Sequence, residues 1–301
     1  MQRGFEVPRA EKAIDDANRI KKALKHAEEI YETNANIIKE SDFEDLYSKE
    51  VIDRDLEWVR KEEERFDEED TPEQKEARKI STVFEAIIYD QAEMSDWLGA
   101  SAMTVKSSRY DDIKNGIDLI VEFPDNEEAS ASHLALAVDI TLSSELEKKM
   151  SGIKRNIEQG NLSTIKYFKS ETLNIRGEKK DVPKVVIGAD SKMLDRVIDL
   201  WMTKTGDSKD ELGKHPIQFV ILEEILMQLE EFKDYAERIG QSNVSENYGK
   251  VIETIRDIYR EKIKLREKIL GDNDTVIKND KVYRAIKSHL DRLSAQKSPR
   301  R

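Results

Sequence analysis

Two short apolar runs in the middle of a highly charged chain constrain the fold most. Residues 117–123 and 134–142 are rich in isoleucine, leucine, valine and phenylalanine, and compact runs of this kind between polar stretches are typical of buried strands. The whole chain has only 12 glycines and 6 prolines in 301 residues, with 38% charged residues, which favours long helices over a many-turned β architecture. The sequence therefore predicts a small α/β core between helical segments.

Helical periodicity extends on both sides of these runs. Apolar residues recur there at three- and four-residue steps, and Thr71-Pro72-Glu73-Gln74 has the residues of a capped helix start. The predicted helices are 9–39, 49–66, 71–98, 190–204, 216–239, 244–270 and 280–295. We expect a helical N-terminal arm (1–70), an α/β core (71–204) and a helical C-terminal region (205–301).

The predicted core has a definite order of elements. A strand at 102–107 is followed by a turn at 110–116 and by the two apolar strands. A helix then opens at Ser144 and closes at Gly160, and further strands follow at 164–169 and 184–188. The order is helix, three strands, helix, strand, strand, helix, which predicts an α/β fold with a mixed sheet.

Each apolar strand carries an aspartate. Asp118 lies at the start of the first run and Asp139 lies within the second. Because side chains alternate along a strand, Asp139 shares its face with the small residues Ala137 and Thr141, which leaves room for a ligand. A buried aspartate is costly without a partner, and converging carboxylates repel unless a cation lies between them. Oxygen ligands of this kind suit Mg²⁺ or Mn²⁺.

The order of elements and these two short motifs resemble the core of the PD-(D/E)xK nuclease superfamily, over about residues 72–204. The resemblance implies a restriction-endonuclease-like αβββαβ core with helical extensions, and metal-dependent hydrolysis of phosphodiester bonds in DNA or RNA. Asp118 stands in the place of the first motif aspartate, and Asp139-Ile140-Thr141 in the place of the (Asp/Glu)-x-Lys motif. Glu85, or in second place Glu93, matches the glutamate of the preceding helix. The implied metal ligands are Glu85, Asp118 and Asp139.

The chain departs from the family at Thr141, where the motif has lysine. Some superfamily members supply this amine from the following helix, where Lys149 and Lys154 flank the apolar stripe on opposite sides. The resemblance therefore implies Asp118, Asp139 and one of these two lysines as catalytic residues. If neither lysine reaches the site, the alternative is a degenerate nuclease fold that binds nucleic acid or protein without cutting.

Structural interpretations stand beside these functional ones. Asp118 could cap a turn after Gly116, and Asp139 could form a salt bridge to a neighbouring helix. Glu85 could be a solvated glutamate at a helix edge, and both lysines could be ordinary surface residues. A third reading of the whole chain is a helical scaffold that forms homo-oligomers through its C-terminal helices, with the α/β core as a passive platform.

The charge distribution bears on the partner. Net charge is −12, but residues 40–76 hold 17 acidic against 6 basic residues. By contrast, residues 143–184 hold 10 basic against 6 acidic, and residues 275–301 hold 8 against 2. Local field matters more to a phosphate backbone than the total. We expect a nucleic-acid partner, DNA rather than RNA, contacted through the basic C-terminal tail and Lys154, Arg155, Lys166 and Lys169.

Other classes of chemistry have no support in the sequence. The chain has no cysteine and only four histidines, at scattered positions, so thiolate metal sites, disulfides and cysteine nucleophiles are excluded. Its apolar runs are too short to span a bilayer, and the start Met-Gln-Arg-Gly-Phe lacks the apolar segment of a secretory signal. We expect a cytoplasmic protein with no membrane partner.

Overall fold

The computed structural model of the chain describes residues 9–33, 37–123, 134–142, 146–170, 175–203, 205–271 and 275–296. The helices are α1 (Arg9–Thr33), α2 (Lys49–Glu69), α3 (Pro72–Met94), α4 (Arg109–Asn115), α5 (Leu146–Glu158), α6 (Ser191–Met202), α7 (Gly206–Gly213), α8 (Ile217–Arg238), α9 (Ser242–Leu270), α10 (Thr275–Asn279) and α11 (Lys281–Ser294), with a short 3₁₀ turn at Glu40–Phe43. The strands are β1 (Met103–Lys106), β2 (Leu119–Phe123), β3 (Leu134–Thr141), β4 (Ser163–Lys169), β5 (Arg176–Val182) and β6 (Lys184–Gly188). The predicted α/β class with a mixed sheet is confirmed.

The main sheet has four strands in the order β1-β2-β3-β6. β2 pairs antiparallel with β1 and β3, whereas β6 pairs parallel with β3. A parallel pair needs a crossover connection, and α5 lies within it. The carboxyl ends of β1, β3 and β6 therefore lie at the same end of the sheet as the amino end of β2. Asp118 and Asp139 lie at this end.

Two features of the strand region differ from the sequence prediction. The predicted turn at 110–116 is the helix α4, in which the Ser108 side chain accepts from Asp111 N and Gly116 ends the helix in the left-handed conformation. The charged segment 176–182 was not predicted as a strand, yet it forms β5 and pairs with β4 in a separate two-stranded sheet. Of the two predicted strands after α5, only β6 joins the main sheet.

The largest apolar cluster draws on all three proposed segments of the chain. Side chains from α1, α3, the main sheet, α5, α6, α8, α9 and α11 pack in it. A smaller cluster on the other side of the sheet joins β1, β2 and β3 to the β4-β5 hairpin and α2. Among the described residues, no helix is long and apolar enough to cross a membrane.

Helix α8 covers the outer edge of β6 with polar side chains. Gln228 accepts from Val186 N at 2.9 Å and donates to Val186 O at 2.6 Å, as a neighbouring strand would. Glu224 accepts from Gly188 N at 2.9 Å. These contacts satisfy backbone groups that would otherwise be exposed on an edge strand, and they fix the C-terminal helices against the sheet.

Candidate active site

The structure brings Asp118 and Asp139 together, as the sequence predicts. Asp118 immediately precedes β2, and its backbone N–H donates to Val138 O at 2.9 Å. Its side-chain Oδ2 accepts from Ile140 N at 2.5 Å. The Asp118 carboxyl therefore lies across β3, beside the residue that follows Asp139, rather than capping a turn.

Asp139 is held by two lysines. It is only 2% exposed, and its Oδ1 lies 2.5 Å from Lys149 Nζ while its Oδ2 lies 2.8 Å from Lys184 Nζ. Lys149 comes from α5 and also donates to Ile140 O at 2.7 Å. Lys184 comes from β6 and donates to Asn115 O at 2.9 Å. A carboxylate this buried requires such partners.

Gly116 makes this arrangement possible. Its φ of 60° is in the left-handed region, and a Cβ placed on it would lie 2.8 Å from Lys184 Nζ and 3.0 Å from Asp139 Oδ2. Glycine is thus required both by the backbone conformation and by the close approach of the ion pair.

Glu85 is buried on α3 and does not face solvent. Its Oε2 accepts from Lys106 Nζ at 2.8 Å, and the same ammonium lies 3.4 Å from Asp112 Oδ2. Arg109 donates to Asp112 at 2.9 Å and also pairs with Glu63 on α2. The ion-pair network therefore extends from α3 through β1 and α4 to the surface of α2.

The carboxyl groups of the cluster differ in the direction of their pKa shifts. Burial raises the pKa of Asp118 well above its usual range, and the charges of Glu85, Asp112 and Asp139 raise it further against the opposing effect of Lys106. Burial acts in the same direction on Asp112, but Lys106 and Arg109 bring the pKa of Asp112 below its usual value. The side chains of Asp112 and Asp118 hydrogen-bond to each other. The two pKa values shift in opposite directions because Lys106 and Arg109 contact Asp112 directly.

Lys106 remains a cation within this buried group. Burial opposes its charge, yet Glu85 and Asp112 raise the pKa of Lys106 well above its usual value. Burial also raises the pKa of Glu85, an effect that Lys106 partly offsets. Sequence reasoning missed Lys106, Lys184 and Asp112. The signal available for Lys106 was a lone charge at the end of an apolar strand, whereas Asp112 could not be distinguished from a turn residue.

Other predicted residues lie outside this network. Lys154 pairs with Glu158 one turn further along α5, at 3.5 Å, so of the two candidate lysines only Lys149 contacts Asp139. Glu93 accepts from Thr104 N at 3.0 Å at the edge of β1. Thr141, in the position of the motif lysine, is buried.

Lys166, expected to bind nucleic acid, has structural partners. It forms an ion pair with the buried carboxylate of Asp55. Its ammonium also lies 5.5, 4.9 and 5.3 Å from the ring centres of Tyr47, Tyr110 and Tyr167. Cation–π contacts and a buried carboxylate stabilise this position, so Lys166 joins β4 to α2 and α4.

The cluster offers carboxylate oxygens, but cationic side chains already pair with them. Five carboxyl groups (Glu63, Glu85, Asp112, Asp118 and Asp139) face four cationic side chains (Lys106, Arg109, Lys149 and Lys184). Carboxylate oxygens are the ligands that Mg²⁺ and Mn²⁺ prefer. Among the residues that the structure describes, however, no three acidic or histidine side chains are already spaced to hold an ion.

One open cavity is separate from the charged cluster. It has a volume of about 570 Å³ and is lined by Asp190, Ser191, Lys192, Met193, His215, Pro216, Asn279, Asp280, Lys281 and Arg284. It lies where α6, α8 and α11 begin. None of the predicted site residues lines it.

Comparison of the chain with models of protein families, with curated proteins and with solved structures finds no match.

Proposed function

We propose that the protein is a metal-dependent nuclease that hydrolyses phosphodiester bonds, with DNA as the favoured substrate. The observation that carries the proposal is the contact between Lys149 Nζ and Asp139 Oδ1 at 2.5 Å. Thr141 leaves the expected motif without an amine, and Lys149 reaches the same aspartate from the next helix. In this proposal the amine of Lys149 on α5 replaces the lysine amine that is missing from β3 at Thr141.

The order of elements supports the proposal. The elements α3, β1, β2, β3, α5 and β6 occur in the αβββαβ order that the sequence resemblance implies, with α4 inserted after β1 and the β4-β5 hairpin inserted after α5. Strand β6 lies parallel to β3 in one sheet. Asp139 lies on β3, and Asp118, immediately before β2, contacts β3 beside it. A reaction at this end of the sheet would use side chains from β3, α5 and the residue before β2.

Each residue has a chemical role in the proposal. Asp118, Asp139 and Glu85 would hold the metal, joined by Asp112, whose side chain hydrogen-bonds to that of Asp118. Lys149 would donate a hydrogen bond to a phosphate oxygen and stabilise the charge that develops there. A bound Mg²⁺ or Mn²⁺ would supply Lewis-acid polarisation of the phosphate and a more acidic water. Gly116 leaves room for the contact between Asp139 and Lys184.

The proposal is tested by calorimetric titration of Mn²⁺ into the wild type and Asp139→Asn, followed by cleavage assays. The substrates are end-labelled single- and double-stranded DNA and RNA. We expect metal binding and cleavage by the wild type, and loss of both in Asp139→Asn with an unchanged circular dichroism spectrum. A wild type that binds no Mn²⁺ and cuts none of the four substrates would refute the proposal.

A second candidate is a nucleic-acid-binding protein that does not cut. It is favoured by the two ammonium groups that already engage both oxygens of Asp139, since a metal ion would have to displace them. In this case the same assays would show binding of labelled DNA that weakens as salt rises, with no cleavage at any Mn²⁺ concentration.

A further inference from the structure

The cavity at the starts of α6, α8 and α11 is large enough for a small organic molecule. Its volume is about 570 Å³, within the range of about 300–1,000 Å³ that ligand pockets have. Met193, Pro216 and the ring of His215 contribute apolar surface to its lining. Apolar surface beside a few charged groups is typical of sites for organic ligands rather than for bare ions.

A hydrogen bond joins the starts of α6 and α11 at this cavity. Asp190 N donates to Asp280 Oδ2 at 2.7 Å. Asp280 Oδ1 accepts from Val282 N at 2.7 Å and from Tyr283 N at 3.0 Å, and Asp190 Oδ1 accepts from two N–H groups of α6 at 3.1 Å. Both carboxylates in the lining therefore cap helices, and the N–H groups of those helix starts offset their charge. A ligand would bind to side chains here rather than to the backbone.

Three cationic side chains line the same cavity. Lys192 lies on α6, and Lys281 and Arg284 lie three residues apart on α11, which places them on one face of the helix. All three are exposed, and none forms an ion pair or side-chain hydrogen bond with a residue that the structure describes. The charges of Lys106 and Lys149, by contrast, are paired with buried carboxylates. An anion in the cavity would therefore meet cations that have no other partner to give up.

His215 adds an uncharged donor to the lining. Burial and the charge of Arg196 lower the pKa of His215 to about 4, so the ring is neutral near pH 7. Its Nδ1 accepts from Ile217 N at 3.3 Å, which leaves the ring proton on Nε2. A neutral ring with one N–H can pack against a sugar or base and donate a hydrogen bond to it.

We propose that this cavity binds a nucleotide, with its phosphate group among the three cationic side chains and its sugar and base against the apolar part of the lining. Three cations suit the double charge of a phosphate monoester better than the single charge of a carboxylate, and the guanidinium group of Arg284 matches two phosphate oxygens at once. The inference does not rest on the proposed function, because the cavity contains no residue of the charged cluster.

The first test is calorimetric titration of AMP, adenosine and inorganic phosphate into the wild type, in EDTA at pH 7.5. We expect AMP to bind, and adenosine and phosphate to bind more weakly by about tenfold or more, since each lacks one half of the contacts. A wild type that binds no AMP at millimolar concentration would overturn the inference. Phosphate that binds as tightly as AMP would overturn it too, because the apolar part of the lining would then contribute nothing.

Variants place the site. Lys281→Gln and Arg284→Gln should each bind AMP about tenfold more weakly, the loss of one hydrogen bond to a charged oxygen, with an unchanged melting temperature. The matched control is Lys287→Gln, because Lys287 is exposed on the same helix but does not line the cavity; its affinity should equal that of the wild type. Equal losses in all three variants would overturn the inference. Loss of AMP binding in Lys149→Met would place the site in the charged cluster and would overturn it as well.

A competition experiment identifies the source of the nucleotide. A 5′-phosphorylated oligodeoxynucleotide and its unphosphorylated copy are titrated against bound AMP in EDTA. Displacement by the phosphorylated strand alone would support the inference with the end of a DNA strand as the ligand, and displacement by neither would support it with a free nucleotide. Equal displacement by both strands would show that the cations bind any phosphodiester backbone, and would overturn the inference.

Discussion

Two lysines on α5 allow the contribution of the buried ion pair at Asp139 to stability to be compared with that of a surface ion pair on the same helix. Lys149 contacts Asp139, which is 2% exposed. Lys154 contacts the exposed Glu158 at 3.5 Å. Replacing each lysine by methionine removes the ammonium group and keeps an unbranched stem of similar length. The helix is otherwise unchanged, so the two variants differ mainly in what the lost charge contacted.

The expected magnitudes differ several-fold. Removing one partner of a buried pair costs about 3–5 kcal/mol, because the other charge is left uncompensated. Asp139 keeps Lys184 in Lys149→Met, at 2.8 Å, so we expect a smaller loss of about 2–4 kcal/mol. An exposed pair four residues apart on a helix contributes about 0.3–0.5 kcal/mol, which sets the expected loss in Lys154→Met.

Urea unfolding at pH 7, followed by circular dichroism at 222 nm, measures both free energies of unfolding. The m-values of the two variants should match the wild type, since neither substitution changes the surface exposed on unfolding. Equal losses in Lys149→Met and Lys154→Met would refute the reasoning, because they would show that Lys149 is no more tightly coupled to its partner than a surface lysine is.

Three further substitutions test other parts of the structure. Gly116→Ala combines a strained φ of 60° with a Cβ 2.8 Å from Lys184 Nζ, so unfolding experiments should show a loss of about 1–3 kcal/mol; an unchanged midpoint would contradict this. Burial raises the pKa of Glu224 well above its usual value, so this carboxyl group binds its proton more tightly in the folded protein than in the unfolded chain. As the pH rises above the pKa of the unfolded chain, the free energy of unfolding therefore falls by up to about 1.4 kcal/mol per pH unit. The advantage of Glu224→Gln over the wild type should therefore grow from pH 5 to pH 8, and parallel pH curves would rule this out. Lys166→Met leaves buried Asp55 without its cation and should cost about 3 kcal/mol while DNA affinity stays within twofold; a large loss of affinity with intact stability would show instead that Lys166 binds phosphate.

The sequence predicted the parts of the fold that depend on local pattern. The apolar runs at β2 and β3 and the capped start of α3 at Thr71 are signals carried by neighbouring residues, and the structure has them. β5 could not be predicted, because its seven residues include Arg176, Lys179 and Lys180 and few apolar ones. Its pairing with β4 is a tertiary contact. The helix α4 was missed because its seven residues resemble a polar turn and depend on the Ser108 and Gly116 caps.

For the candidate site, the sequence predicted the two aspartates of the neighbouring strands but not which lysines contact them. That Asp118 and Asp139 lie close together follows from the adjacency of two strands, and a partner for Asp139 follows from the cost of burying its charge. The choice of Lys149 over Lys154 depends on how α5 lies against the sheet, which the helix sequence alone does not specify. The contact of Lys106 with Glu85 depends on how β1 packs against α3, which the residues of either element alone do not specify.

The role of Lys149 in cleavage is the central claim, and single-turnover cleavage of labelled DNA with Mn²⁺ tests it most directly. The wild type, Lys149→Met and Lys154→Met are compared at a temperature at which all three are fully folded. We expect Lys149→Met to be slower than the wild type by about 10²–10³-fold, the effect of losing one donor to developing charge, and Lys154→Met to stay within about twofold. Cleavage by Lys149→Met at the wild-type rate would contradict the account.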